Sequence, residues 1–140
     1  MRYTLALVFF CFFLNEKCFS QKCERPDNVF IELNSLDTVL IANCLNNIET
    51  RIFLADSNEV FVLKSGLELI GIDEYSIIQF QSIEQLRKKE MEIRKCEAQQ
   101  SGKSIFLDLN INSIFKNIFI VVRTEKNIYR FKVDWVDGIE

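Results

Sequence analysis

Histidine is absent from all 140 residues. That removes the commonest general base and the commonest metal ligand together. Ser-His-Asp and Cys-His catalytic sets are excluded with it. Glycine (4) and proline (1) are scarce, which speaks against disordered, collagen-like or repeat chains. No GxGxxG, Walker loop, Gly-x-Ser-x-Gly, Cys-x-x-Cys or Asn-x-Ser/Thr occurs. A basic excess is missing too: 17 Lys+Arg stand against 20 Asp+Glu, a net charge of −3. Nucleic-acid binders normally carry a basic patch, so no nucleic-acid partner is expected. No cofactor motif is visible, and no cofactor is expected.

The chain does contain a distinctive start. After Met1-Arg2-Tyr3 it runs apolar from Thr4 to Leu14, about 11 residues. A membrane-spanning helix needs ~20, whereas the apolar core of a secretory signal needs ~7–15. Asn15-Glu16-Lys17 breaks the run, and Cys18 and Ser20 place small residues at −3 and −1 of a cut between Ser20 and Gln21. Residues 1–20 are therefore expected to be a signal peptide and residues 21–140 a single globular domain. Export to a periplasm or the extracellular space follows from that reading. Residues 21–140 hold 15 basic and 19 acidic side chains and are 45% apolar, an ordinary value for a water-soluble domain. The longest apolar run after the signal, Ile118–Val122, has strand length, so no membrane span is expected in the mature chain.

Cys11 and Cys18 would leave with the signal, and Cys23, Cys44 and Cys96 would remain. In an oxidising compartment three thiols allow one intramolecular bridge and one leftover, with three pairings open. Cys23–Cys44 is the expected disulfide, because it would tie the N-terminal lead-in to the second strand. Closing that ~22-residue loop would contribute about 3 kcal/mol. Cys96 is then the candidate free thiol, either buried as a structural group or paired with another chain. Without histidine it has no base to make it a nucleophile.

Period-2 patterning predicts strands over Val29–Leu33, Thr38–Ala42, Thr50–Ala55, Glu59–Lys64, Leu67–Ile72, Tyr75–Phe80, Ser104–Asn110, Asn117–Thr124 and Ile128–Trp135. Asp56-Ser57-Asn58 and Glu125-Lys126-Asn127 are hairpin signals. One helix is clear over Ser82–Gln100. Ser82 and Gln85 form a capping box, Glu84/Lys88 and Glu90/Arg94 are i,i+4 pairs, and Gly102 supplies the stop. Ile83, Leu86, Ile93 and Cys96 make a modest apolar stripe. Most connections are too short for parallel crossovers. The fold expected is α+β, mainly antiparallel, with about eight or nine short strands in a sandwich or partial barrel and one helix. An all-β sandwich with an inserted helix is the alternative.

The chemistry-bearing residues have plain readings. Asp73-Glu74, Asp108 and Asp134/Asp137 could pair as glycosidase-like carboxylates, but turn and wet-face positions favour solvated charge. Asp56-Ser57-Asn58-Glu59 lacks the glycine and terminal glutamate of a calcium loop. Arg87, Lys88, Lys89, Arg94 and Lys95 alternate with glutamates, so their helix face is near neutral. Tyr129, Phe131 and Trp135 have the spacing of a core strand rather than a ligand platform. The function expected is a small exported, non-catalytic binding or interaction protein, such as an inhibitor, immunity or envelope accessory protein, whose partner is another protein. Two other classes compete: a carboxylate-dependent hydrolase of envelope or secreted polymers, and a structural envelope protein that dimerises through Cys96 or an edge strand.

Overall fold

The computed structural model describes residues 22–33, 51–54, 57–64, 66–102 and 109–136. The expected signal segment, the Ser20/Gln21 cut, the strand over Thr38–Ala42, Cys44, Asp108 and Asp137 lie outside the described residues, as does most of the strand over Ser104–Asn110.

Among the described residues, six strands and three helices follow in the order β1 (Asn28–Leu33), β2 (Arg51–Leu54), β3 (Glu59–Leu63), β4 (Glu68–Ile70), α1 (Ile72–Ile77), α2 (Ile83–Ser101), α3 (Ile111–Ile114), β5 (Asn117–Arg123) and β6 (Ile128–Val136). The class is α+β, as composition and patterning imply. The strands form one mixed sheet ordered β1-β5-β6-β3-β2, with β4 also on β6. β6 is long enough to carry two partners end to end on one side. β3 pairs with Val133–Val136 and β4 with Ile128–Arg130. Between them the Lys64 N–H donates to the Lys132 carbonyl at 2.9 Å.

Three expectations are refined. Among the described residues the sheet is mainly antiparallel, in four of its five strand pairings, but it is mixed: β1 runs parallel to β5, with Phe30 opposite Phe119. Short connections constrain only strands adjacent in sequence, and β1 and β5 are separated by most of the domain. Among the described residues there is one sheet of six strands rather than a sandwich or barrel of eight or nine. Tyr75–Phe80 is not a strand. Gly71 is extended, Asp73 and Glu74 sit in the first turn of α1, where acidic side chains complement the helix dipole, and of this run Phe80 alone pairs with a strand, by a single parallel bridge to Phe30.

The expected helix is present, and so is its cap. The Gln85 N–H donates to Ser82 Oγ at 3.2 Å, and the Ser82 N–H to Gln85 Oε1 at 2.9 Å. Gly102 closes α2 with φ 64°, a left-handed conformation that costs glycine little. α2 lies on one face of the sheet. Leu86 and Ile93 join Val29, Ile118, Ile120, Phe131, Val133 and Trp135 in the main core. Trp135 packs its ring 5.1 Å from Phe61 and 6.1 Å from Phe115. The opposite face has a smaller core of Ile70, Val121 and Ile128, covered by Tyr75, Ile78 and Phe80 from α1 and the segment after it.

Candidate functional site

Four features of the surface and interface carry polar or apolar chemistry. The first closes the α2–sheet interface. Arg87, on α2, grips Glu59 of β3 through Nε (2.9 Å) and Nη2 (2.8 Å) and reaches Glu90 through Nη1 at 2.8 Å. Arg94 holds the other side of Glu90 at 2.9 Å. The Trp135 indole N–H donates to Glu59 at 2.7 Å, and the Arg87 guanidinium stands 4.5 Å above that ring. Burial works against the charge on Arg87, but bonds to Glu59 and Glu90 outweigh it and hold the guanidinium above its usual pKa. Glu90 is 8% exposed, and a buried carboxylate needs this degree of pairing. The cluster is a fully matched ionic clasp.

The second feature is a row of pairs on the opposite face. Arg130 bridges Glu68 of β4 and Glu74 of α1, and its guanidinium lies 5.6 Å over the Phe119 ring. Lys64 pairs with Asp134 at 3.0 Å, and Lys132 donates to Asn117 at 2.6 Å. The Tyr75 hydroxyl donates to Glu32, which, with burial, raises the phenol pKa. Arg123 lies 5.7 Å from the Tyr75 ring.

The third is the disulfide, which joins Cys23 to Cys96 with Cα atoms 5.8 Å apart. The expected Cys23–Cys44 pairing is thereby overturned, and Cys96 is not a free thiol; dimerisation through Cys96 falls with it. The reason lies in contacts distant in sequence. Arg25 donates to Glu97 Oε1 at 2.8 Å and to the Ser113 carbonyl at 2.8 Å. The N-terminal lead-in therefore runs along α2, and Cys23 meets the cysteine next to Glu97.

The fourth is apolar. Leu69 is 63% exposed, Ile72 59% and Ile77 79%. All three fall within nine residues of β4 and α1. An open hollow of about 230 Å³ separates Leu69 and Ile72 from the β5–β6 turn, Arg123 to Asn127. That turn is firmly tied: the Thr124 N–H donates to the Asn127 carbonyl at 2.8 Å, and the Asn127 N–H to Thr124 Oγ1 at 3.0 Å.

Among the described residues, the carboxylates singled out from the sequence are not gathered. Glu74 is held by Arg130 and Asp134 by Lys64. Those two β6 positions are four residues apart on one strand, about 13 Å. Among the described residues no three Cys, Asp or Glu side chains form a set able to hold a metal ion. The aromatic set is divided: Phe131 and Trp135 are core, and Tyr129 is half-buried. Of the helix cations, Arg87 and Arg94 turn to Glu90, while Lys88 and Lys95 remain exposed. Patterning did not reveal the Glu59–Arg87–Glu90 clasp, whose one local sign is the i,i+4 pair Glu90/Arg94. It also hid the exposure of Leu69, Ile72 and Ile77, which read as strand interior.

No protein-family model, no curated protein and no solved structure matches the chain.

Proposed function

We propose that this is a small exported, non-catalytic protein that acts by binding another protein, and that Leu69, Ile72 and Ile77 form the contact surface. The carrying observation is that three large aliphatic side chains within nine residues of chain are each more than half exposed, and that two of them, Leu69 and Ile72, line one hollow. Single exposed aliphatics are ordinary, but clustered ones rimmed by charge mark interaction sites. The rim here is Asp73, Arg123, Glu125 and Lys126, all exposed. The apolar N-terminal run supports export, and so does a disulfide, since such bonds persist in oxidising compartments.

The test is recovery of a stoichiometric partner from envelope or secreted extracts, by wild type and by a Leu69→Ser, Ile72→Ser, Ile77→Ser variant. These side chains are exposed, so the variant should unfold within about 0.5 kcal/mol of wild type per site while losing the partner. Equal recovery by both proteins would remove this surface from the function. Measurable turnover of a polymer substrate by purified monomer would replace binding with the hydrolase reading.

A further inference from the structure

We infer that the Cys23–Cys96 disulfide is a reversible redox latch, which opens and closes with the sheet and α2 still folded. Two ties hold the same short segment side by side: Cys23 to Cys96, and Arg25 to the adjacent Glu97. Arg25 also reaches α3 through the Ser113 carbonyl at 2.8 Å. None of these Arg25 contacts depends on the sulfurs. Both cysteines are half-buried, and Cys23 lines an open, charged hollow with Lys22, Glu24, Arg25 and Glu97. A small thiolate can therefore approach it. The first main-core side chain after Cys23 is Val29, so the two sulfurs can part without uncovering the core. Local opening of this kind lies well below the cost of global unfolding.

The chemistry is ordinary exchange with a dithiol reductant. One thiolate of the reductant attacks Cys23 Sγ, the Cys23–Cys96 bond breaks, and Cys96 leaves as a thiolate. The second thiol of the reductant, deprotonated, attacks the mixed disulfide and releases Cys23 as a thiolate. The reductant departs as its own disulfide. Two electrons have passed to the cysteine pair, and each thiolate takes up a proton. Arg25 then keeps Cys23 beside Cys96, raising the effective concentration for closure when an oxidant returns.

The experiment uses the full chain carrying C11S, C18S and C44S, which leaves Cys23 and Cys96 as the only thiols. Trp135 is the only tryptophan and reports the core. Dithiothreitol followed by alkylation should label both cysteines while Trp135 fluorescence stays native. Reoxidation by glutathione disulfide should slow about fivefold in an R25A variant, the effect of losing one partly exposed ion pair. Raising the salt, which screens that pair, should slow the parent chain in the same direction. A Trp135 signal that becomes unfolded as the thiols appear would make the bond a structural staple instead. Reoxidation indifferent to both R25A and salt would also overturn the latch.

Discussion

On the α2 side of the sheet, β5 and β6 present Ile118, Ile120, Val122, Phe131, Val133 and Trp135, each no more than 2% exposed. On the other side the same two strands present Asn117, Phe119, Arg130, Lys132 and Asp134, none of them fully buried. One sequence alternation produces both faces, but they hold by different physics. The α2 face is a close-packed apolar core whose one charged intrusion, Glu59–Arg87–Glu90, is completely paired. The other face relies on ion pairs open to water, with a small apolar centre at Ile70, Val121 and Ile128. Buried apolar contact is worth far more per side chain than a solvated ion pair, so the two faces should respond very differently to substitution.

The largest difference is expected at aromatic positions. Trp135→Ala on the α2 face should lower unfolding free energy by about 4 kcal/mol, through lost burial and a cavity. Phe119→Ala, stacked 5.3 Å from Phe30 on the other face, should cost about 1–2 kcal/mol, because that ring is only half-buried. Urea unfolding of the two variants measures both; equal losses would erase the distinction between the faces.

Replacing Cys23 and Cys96 together by serine should cost about 4 kcal/mol on the chain-entropy relation, since the bond closes a long loop with a sequence separation of 73. The tie lies on the α2 side, so hydrogen exchange should rise in β1 before it rises in β6. Next comes Glu59→Ala, at about 2 kcal/mol, because it strands the Trp135 N–H and removes one carboxylate partner of the Arg87 guanidinium. Glu59→Gln should recover part of the loss by still accepting from Trp135.

The smallest effect belongs to the open face and concerns pH. The Tyr75 phenol is raised by its bond to Glu32, so the fold binds that proton more tightly than the unfolded chain does. Its contribution is fully present below the unfolded value of 10.0 and fades as pH rises through the folded value. Tyr75→Phe should therefore lose this small contribution at neutral pH and flatten the alkaline end of a stability–pH curve, so that the two proteins converge as pH rises. A steeper alkaline fall in the variant would contradict the Glu32 bond.

The helix was legible because its signals are local. Ser82, Gln85 and Gly102 lie at its two ends, and the capping box needs nothing beyond four consecutive residues. The β5–β6 hairpin was legible for the same reason, through Glu125-Lys126-Asn127 and the alternation that follows. Tyr75–Phe80 misled because its apolar content suits either a strand or one turn of helix, and so short a run does not separate the two. Leu69, Ile72 and Ile77 look like core residues in any window. Their exposure follows from β4 being short and α1 folding back across only part of the sheet.

The sequence by itself determined that there is no histidine chemistry, that one long capped helix accompanies a set of alternating strands, and that three cysteines follow an apolar N-terminal run. These are statements about composition and neighbours. Tertiary structure alone decided that β1 runs parallel to β5, that Cys23 bonds Cys96, that Glu59 and Glu90 share Arg87, and which aliphatics stay in water. Apart from the local Arg87–Glu90 pair, these features depend on groups many residues apart, and the energy that selects them comes from packing and ion pairing that exist only once the chain has closed on itself.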